Sequence, residues 1–512
     1  MANFSRREFL RTALMAGACA GLAGITSHIL ADEGDYNVLF IAVDDLRPQL
    51  GCYGVSKAKT PNMDALAARG TLFNHAYCQQ ALCTPSRSSL LTGRRPDTTK
   101  VYNLTTHFRK NIPDVVALPE CFKQHGYFTQ GVSKIYHPGV DDPQSWSAPH
   151  WDPKVPGYAD PENLKAVADE KARLKAEGTY QAAKVLEKDP KTGLPLQLQR
   201  ATRVKAAPWE AADVPDNKLP DGATADKAVE CLQQLKDKRF FLAVGFLKPH
   251  LPFAAPKKYF DMHASTKFTL ADNPHAPKDC PEVATYQWGE LREYKGMPKE
   301  GPVPDDKALE LIKAYHACAS YTDAQVGRVL NELDRLGLRD KTIIILFGDH
   351  GWQLGEHGHW CKHTNFEEAT RAPLIISAPK QKNPGSKVDA LVEFVDMYPT
   401  LCDLAGLPLP KGLEGTSLVP LMNDPKRSWK KAAFSQYPRP GGVMGHTMRT
   451  ERYRYAEWAA PGKDPLGIEL YDYKTDPKGN VNIAGKQEHK DLQAKLAKML
   501  KDGWQSALPA GK

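Results

Sequence analysis

The chain has 512 residues, of which 41% are hydrophobic and 25% are charged, so general disorder is excluded and one large domain with a smaller appendage is allowed. Lysine and arginine number 68 against 60 aspartate and glutamate residues, which gives a formal net charge of +8. This excess is small for the length. No basic run or interleaving of arginine with aromatic residues predicts nucleic-acid binding.

The first 31 residues have the composition of an export signal and are predicted to lie outside the fold. Arg6 and Arg7 precede a stretch of Ala, Gly and Leu that runs to Ala31. A basic start, a weakly apolar centre and small residues indicate a signal peptide, and the paired arginines indicate twin-arginine export. A membrane anchor is the alternative, but polar residues at 26–28 interrupt the stretch. We therefore expect an exported bacterial protein, periplasmic or secreted, with no stable membrane span after processing.

Four short apolar runs predict buried β-strands, at 37–43, 240–246, 342–347 and 373–377. They lack polar alternation, which is typical of strands that are covered on both faces of a sheet. Helical segments lie between them, at 62–68, 223–235 and 308–336, and the last one ends before Gly337. This alternation predicts an α/β fold with a large, mainly parallel sheet between helices.

Acidic residues or histidines follow three of these strands directly. Asp44 and Asp45 follow the first, His250 follows the second, and Asp349 and His350 follow the third. Ligands of open α/β sheets bind beyond the carboxyl ends of the strands. We therefore expect these five side chains to converge on one edge of the sheet.

Two irregular stretches and a C-terminal section complete the chain. Residues 141–220 are rich in Pro, Lys and Asp, with a helix predicted at 162–187, and are expected to form a surface excursion that shapes a cleft. Residues 271–306 also contain several prolines. Short strands at 447–450, 453–455 and 469–472 and a helix at 490–504 predict a smaller C-terminal antiparallel sheet with a helix. The expected boundaries are 32–425 for the main domain and 426–512 for the C-terminal subdomain.

The ten cysteines include no Cys-x-x-Cys pair, and disulfide connectivity cannot be read from their positions. A run with His350, Cys361 and three further histidines fits no structural zinc spacing, so we expect those three to line or border a pocket: His357, His359 and His363. Cys83 differs from the other cysteines because Thr, Pro, Ser and Arg follow it in a turn that starts a helix. Helix N-termini favour anions, so this cysteine is expected to meet a negatively charged group.

The segment CTPSR at 83–87, followed by LTGR at 91–94, resembles the signature of the type I sulfatases. The resemblance extends from about residue 37 to about residue 484. Within the family it is most similar to the iduronate-2-sulfatase branch, through FLAVGFLKPHLPF at 241–253, WCKHTNF at 360–366 and QYPRP at 436–440. It implies an alkaline-phosphatase-like fold, a sulfatase catalytic domain over 32–425 and a sulfuric ester hydrolase activity.

The resemblance also implies the site. In the family the cysteine is oxidised by a maturation enzyme to formylglycine, whose hydrated aldehyde is the nucleophile. One divalent cation, Ca²⁺, would be held together with residue 83 by four side chains: Asp44, Asp45, Asp349 and His350. Oxygen ligands suit Ca²⁺, whereas the histidine nitrogen suits it less well.

The remaining roles belong to basic residues. Arg87 and Lys134 would neutralise the sulfate, and Ser133 stands where the family often has glycine before this lysine. His137 would take the proton from the second hydroxyl of the aldehyde hydrate, so that sulfate leaves. His250, with Lys362, would protonate the leaving alcohol.

Two other functions stay open at this point. Asp-His-Gly at 349–351 also resembles phosphomonoesterases and phosphodiesterases of the alkaline phosphatase superfamily, although a second ligand set for two zinc ions is missing from the sequence. A non-catalytic binder of sulfated glycans would result if Cys83 were never oxidised.

The substrate suggested by the resemblance is a 2-O-sulfated uronic acid in glycosaminoglycan or algal polysaccharide. Three residues are candidates for contacts to the sugar carboxylate: Arg439, Lys248 and His446.

Overall fold

A seven-stranded sheet forms the centre of the protein in the computed structural model, which describes residues 36–509. The predicted export signal at 1–31 lies outside the described residues. In spatial order its strands are β13 (Ser386–Glu393), β2 (Thr71–Tyr77), β12 (Leu374–Ser377), β9 (Thr342–Gly348), β1 (Asn37–Val43), β7 (Phe240–Phe246) and β3 (Phe128–Ser133). All neighbouring pairs are parallel except those of β12, which is antiparallel to both β2 and β9. The prediction of a mainly parallel α/β sheet is confirmed.

The α-helices of eight or more residues are Pro61–Arg69, Cys83–Thr92, Pro161–Ala176, Pro220–Leu235, Asp305–Arg335, Met397–Leu404 and Lys490–Asp502. Shorter α-helices are Pro96–Thr99, Leu118–Gln124, Lys257–Asp261, Gly289–Arg292, Glu367–Thr370 and Val419–Asn423.

Helices cover both faces of the central sheet, and each face has its own apolar core. On one face, residues such as Phe40 and Phe347 pack with Leu90 and Leu91 of helix Cys83–Thr92. On the other face, Ile41 packs in a cluster that includes residues of helices Pro61–Arg69, Pro220–Leu235 and Asp305–Arg335. Strands covered on both sides exclude water from every side chain, which explains their continuous apolar sequences.

All four apolar runs form strands of this sheet, but three strands were not predicted: β2, β3 and β13. β3 and β13 lie at the two edges of the sheet, where several of their residues stay accessible to solvent. β2 carries two half-buried polar residues, Asn74 and His75. Polar residues on partly exposed strands remove the apolar signal on which the prediction depended.

The surface excursion has less helix than predicted. Helix Pro161–Ala176 ends well before residue 187, and β4 Lys184–Lys188 pairs instead with β5 Pro195–Gln199 in an antiparallel hairpin. A third strand of the excursion, β6 Trp209–Ala212, pairs with β8 Phe253–Pro256. Gly178, with φ of 70°, lies in the turn after the helix, and the prediction failed because it continued the helix past this glycine.

The C-terminal section forms a four-stranded antiparallel sheet followed by helix Lys490–Asp502, as predicted. Its strands are β14 Ala432–Arg439, β15 Val443–Thr450, β16 Tyr453–Ala459 and β17 Gly467–Asp472. The short hairpin of β10 Gln353–Leu354 and β11 Trp360–Cys361 lies between β9 and β12 in sequence. The proposed domain boundary near residue 425 stays a prediction. Within residues 36–509, no helix is both long and apolar enough to cross a bilayer.

Candidate active site

The ends of four neighbouring strands carry the predicted site residues. Asp44 and Asp45 follow β1, and Asp349 and His350 follow β9, its neighbour in the sheet. His250 lies in the loop after β7 on the other side of β1, and Lys134 follows β3. Parallel strands end at the same edge, so side chains far apart in sequence meet there.

Cys83 is the first residue of helix Cys83–Thr92 and lies at the centre of this group. Its Sγ is 3.5 Å from Asp44 Oδ1, 3.4 Å from His350 Nε2 and 3.6 Å from Lys134 Nζ. The side chain of Leu82, before the helix, offers no cap to the first backbone N–H groups. Burial, followed by the charge of Asp44, raises the pKa of the Cys83 thiol well above its ordinary value. A thiol held in its protonated form is a weak nucleophile.

Asp44, Cys83, Asp349 and His350 bring their ligand atoms within 4.8 Å of one another and are all buried. His350 Nδ1 donates to the carbonyl of Gly351 at 2.9 Å, so its Nε2 keeps a lone pair directed at the group. Burial of several carboxylates together is costly without a compensating cation. The donor set therefore fits a divalent metal ion.

Two basic side chains compensate part of this negative charge. Arg87 donates from Nε to Asp349 Oδ2 at 2.9 Å and from Nη2 to Asp44 Oδ1 at 3.2 Å. Lys134 donates to Asp44 Oδ2 and reaches Cys83 Sγ. Burial alone would raise the pKa of Asp44, but the charges of Lys134 and Arg87 outweigh it and lower that pKa to about 2. The carboxylate is thus ionised at neutral pH.

Asp45 forms a second buried group with Lys362. Lys362 Nζ lies 2.9 Å from both oxygens of Asp45 and 3.3 Å from Glu290 Oε2. His250 Nε2 lies 3.3 Å from Glu290 Oε1 and 3.9 Å from Asp45 Oδ2. Asp44, Asp45, Cys83 and His250 form a second group whose ligand atoms all lie within 4.8 Å of one another. Glu290 belongs to the short helix Gly289–Arg292 in the irregular stretch, and the sequence analysis did not identify it.

The backbone at the end of β3 explains why a small residue precedes Lys134. Ser133 has φ of 60°, the left-handed region in which glycine is most easily accommodated. The neighbouring strand contributes Gly245, where an added Cβ would lie 2.1 Å from the carbonyl oxygen of Lys134. Lys134 therefore reaches the site only because the two strands approach closely at this point.

An open cavity of about 510 Å³ lies above this group. Cys83 lines it together with predicted catalytic residues, and further lining residues come from the surface excursion and the irregular stretch: His137, His250, Lys362, Arg200, Arg203, Lys205, Glu290 and Glu293. The expectation that the excursion at 141–220 shapes the cleft is therefore supported by its basic segment 200–205. Sequence reasoning gave no particular residue of that segment, because it carries no motif.

The structure places the three candidates for sugar contacts elsewhere. Lys248 Nζ is bonded to the carbonyls of His250 and Pro252 inside the loop after β7. Arg439 donates to backbone carbonyls of residues 283–285 and of His363. His446 pairs with Asp97 at 3.2 Å in a different cavity. These three expectations are wrong, because the side chains are committed to other partners or lie outside the active-site cavity.

One of the three histidines expected at the pocket lines it, His363. His357 bonds through Nε2 to the carbonyl of Lys478, and His359 bonds through Nδ1 to that of Tyr286. Both rings also pack against Phe366, so they support the surrounding structure. None of the nine described cysteines forms a disulfide.

Solved structures share this fold. A complex with D-glucosamine-2-N,6-O-disulfate as its substrate aligns with a TM-score of 0.69 and 24% identity, over 92% of this chain and 98% of that one. A phosphonate monoester hydrolase from Silicibacter pomeroyi aligns with a TM-score of 0.69 and 23% identity, over 93% and 96%. The fold is thus that of alkaline-phosphatase-like hydrolases, as predicted.

Comparisons with known sequences identify the protein family. A family model described as sulfatase matches residues 36–407, and one described as N-sulphoglucosamine sulphohydrolase, C-terminal, matches residues 355–505. The chain is 34% identical to iduronate 2-sulfatase of Mus musculus, over 95% of this chain and 97% of the relative. It is 32% identical to a sulfatase of Formosa agariphila, over 91% and 86%. The chain therefore belongs to the sulfatase family and is a sulfuric ester hydrolase.

Proposed function

We propose that the protein removes sulfate from sulfated sugars, with a 2-O-sulfated uronic acid as substrate, and that formylglycine derived from Cys83 supplies the nucleophile. The observation that carries the proposal is the position of Cys83 Sγ. It lies on the floor of an open cavity, 3.6 Å from Lys134 Nζ. Two of the potential metal ligands are equally near, Asp44 Oδ1 at 3.5 Å and His350 Nε2 at 3.4 Å. A thiol with a raised pKa suits this chemistry poorly, whereas a hydrated aldehyde at the same position would present a hydroxyl to the sulfur.

Asp44, Asp45, Asp349 and His350 would hold one divalent cation, for which Ca²⁺ is proposed because three of the four donors are carboxylates. Such a cation would supply positive charge to the sulfate oxygens. Arg87 and Lys134 place their positive charges beside the proposed position of the sulfate, since both contact Asp44 and Lys134 also contacts Cys83. Together they stabilise the negative charge that shifts to oxygen as the ester bond breaks.

His137 is suited to accept a proton. Burial, followed by the charges of Lys134 and Arg200, lowers its pKa well below the ordinary value. Its ring is therefore neutral at neutral pH, and its Nδ1 is buried without a hydrogen-bond partner. A neutral imidazole can take the proton whose removal allows sulfate to leave residue 83.

His250 is proposed to give a proton to the leaving alcohol, with Lys362 beside it. Nδ1 of His250 donates to the carbonyl of Leu251 at 2.6 Å, so Nε2 is the atom that would take up a second proton and pass it to the alcohol. Burial and then Lys362 hold the pKa of His250 well below its ordinary value. The negative charge of a bound ester and of Glu290, 3.3 Å from Nε2, favours protonation when substrate is present.

The sugar assignment is supported by the relatives. Iduronate 2-sulfatases of Mus musculus and Homo sapiens are both 34% identical to this chain. Other relatives are named for different sugars, such as an N-acetylglucosamine-6-O-sulfatase of Bacteroides thetaiotaomicron at 28% identity. The phosphonate monoester hydrolases share the fold alone, and the two donor groups of the described residues share Asp44 and Cys83, so they form one connected cluster. We further propose export through the twin-arginine signal and oxidation of Cys83 by a maturation enzyme.

Intact mass and turnover test the proposal together. Formylglycine at position 83 lowers the mass by about 18 Da relative to cysteine, by atom count. We expect the active protein to show this loss, located by peptide mapping to the segment that contains residue 83, and to release sulfate from 4-nitrophenyl sulfate. Desulfation assays on defined sulfated oligosaccharides then identify the sugar. Full activity with an unmodified Cys83 would overturn the proposed nucleophile.

A further inference from the structure

Two arginines on the wall of the active-site cavity lack an acidic partner within the described part of the chain. Arg200 and Arg203 both line the cavity that contains Cys83. Arg200 is half-buried, and its Nη2 is fully buried without a hydrogen-bond partner. Arg203 is exposed and forms no ion pair with any residue of the range 36–509. A guanidinium carries five donors and remains charged, so a buried nitrogen without an acceptor is unfavourable.

The acids of the same cavity are already neutralised. Glu290 lies 3.3 Å from both Lys362 and His250, and Glu293 lies 2.6 Å from Lys205. Glu290 and Glu293 therefore act on the two arginines only through longer-range charge interactions, because their close contacts are with other basic side chains. The lining carries more basic than acidic side chains, and a negatively charged group on a molecule that enters the cavity would balance this excess.

These arginines are separate from the cations that would hold the reacting sulfate. Arg87 and Lys134 are bonded to Asp44 below Cys83, and Lys362 is bonded to Asp45. Arg200 and Arg203 come from the surface excursion and act on His137 from outside, since their charges contribute to the lowered pKa of that ring. Burial and the neighbouring Arg203 also lower the pKa of Arg200, which is the effect of two like charges held close together.

We propose that Arg200 and Arg203 bind a second anionic group of the substrate, so that the enzyme selects sulfate esters that carry another negative charge on the sugar. The inference rests on the proposed function, because it assumes that the reacting sulfate lies at residue 83. A carboxylate or a second sulfate fits the site equally, since arginine binds both through paired N–H donors.

The test compares four substrates: 4-nitrophenyl sulfate, a neutral hexose monosulfate, a 2-O-sulfated uronic acid and a disulfated hexosamine. The variants are Arg200→Ala, Arg203→Ala, the double variant and Arg200→Lys. Arg427→Ala is the matched control, because this substitution also removes one positive charge from the protein. Arg427 is exposed and lies outside the cavity lining. Thermal melting accompanies each variant to exclude misfolding.

The quantity measured is the ratio of kcat/KM for each doubly charged sugar to kcat/KM for the neutral hexose monosulfate. We expect Arg200→Ala to lower this ratio at least tenfold, the double variant to lower it further, Arg200→Lys to restore part of it, and Arg427→Ala to leave it unchanged. If the ratio falls only for the uronic acid, the group bound by the arginines is a carboxylate. If it falls only for the disulfated sugar, that group is a sulfate, and if it falls for both, the arginines bind either anion.

An unchanged ratio in the double variant would overturn the inference, as would a wild-type enzyme that prefers the neutral monosulfate. Equal losses on all four substrates would also overturn it, because the arginines would then act only on the reacting sulfate. A wild-type protein that hydrolyses none of the four esters would instead contradict the proposed function. The two failures are therefore distinguishable in the same experiment.

Discussion

Cys83 is the side chain on which the proposed chemistry depends, and its replacement gives the first prediction. Cys83→Ala removes the thiol whose loss accompanies the oxidation of Cβ to the aldehyde, while the alanine fits the same buried volume. We expect sulfatase activity to fall by several orders of magnitude with little change in melting temperature. Retention of more than a few per cent of the rate would exclude residue 83 as the nucleophile. Cys83→Ser is a separate case, because a maturation enzyme that oxidises serine could restore the aldehyde.

His137 and His250 should differ in how their loss depends on the leaving group. A nitrophenol leaves easily without a proton, whereas a sugar alkoxide is far more basic and needs one. His250→Ala should therefore lose much more activity on a sulfated sugar than on 4-nitrophenyl sulfate, measured as kcat/KM for each. This comparison requires that the wild-type enzyme accepts both substrates.

His137→Ala should slow a later step that no longer contains the alcohol. We expect a rapid initial release of alcohol followed by slow turnover, with either substrate, in stopped-flow traces. The matched comparison is His363→Ala, since His363 lines the same cavity without an assigned proton transfer. A burst in His250→Ala and none in His137→Ala would mean that the two roles are exchanged.

The residues that sequence reasoning found and those it missed differ in what precedes them. Asp44 and Asp349 follow buried apolar strands, so their convergence could be predicted from the topology of parallel strands. Glu290 and Arg200 lie in segments without a regular pattern, and nothing in their local sequence indicates which way they face. Arg439 shows the opposite error, since a charged residue near a family motif proved to be bonded to backbone carbonyls.

Among the secondary-structure elements, prediction was accurate where burial is complete and poor at the edges. β1, β7 and β9 lie inside the sheet, and their apolar sequences gave their bounds almost to the residue. β3 has half-exposed positions and reads Phe-Thr-Gln-Gly-Val-Ser, which has no apolar run. This strand nonetheless delivers Lys134 to the site. A sheet edge that carries a functional residue is therefore difficult to find from a single sequence.

A buried charge network connects several elements and gives a stability prediction. Lys430, just before β14, lies 2.8 Å from Glu393 and 2.6 Å from Asp396, and Arg95 lies 2.7 Å from Glu393. Removal of one partner from a buried ionic group leaves uncompensated charge and costs about 3–5 kcal/mol. We expect Lys430→Met to lower the free energy of unfolding by this amount in urea denaturation. The adjacent, exposed Lys431 is the control, and Lys431→Met should change little.

The stability that this charge network contributes should depend on pH. Burial alone would raise the pKa of Glu393, but Arg95 and Lys430 outweigh it and lower the pKa to about 2, from an ordinary value of 4.5. A carboxyl with a lowered folded pKa stabilises the protein above its unfolded pKa and loses that effect as the pH falls toward its folded pKa. The stability difference between wild type and Lys430→Met should therefore be largest above pH 4.5 and decrease below it. A difference that grows on acidification would contradict the assignment.

Considering the molecule as a whole, the cluster of potential metal ligands joins parts of the chain that are distant in sequence. Asp44 ends β1, Asp349 ends β9, and Cys83 begins a helix, yet their ligand atoms lie within 4.8 Å of one another. Helices pack on both faces of the strands that carry these residues. The carboxylates are brought together by the fold at an electrostatic cost, and a bound cation would compensate it.

Metal removal is therefore expected to affect stability as well as catalysis. A ligand that binds only the native state stabilises it, by about 2.7 kcal/mol at a free concentration one hundred times its dissociation constant. Treatment with a chelator should lower both the activity and the melting temperature, and added Ca²⁺ should restore both better than Mg²⁺, which demands a stricter octahedral oxygen geometry. Asp349→Asn is the control, because its melting temperature should respond much less to the chelator than that of the wild type. A wild-type protein that keeps full activity and an unchanged melting temperature, after removal of the metal has been verified by elemental analysis, would exclude a metal ion from this site.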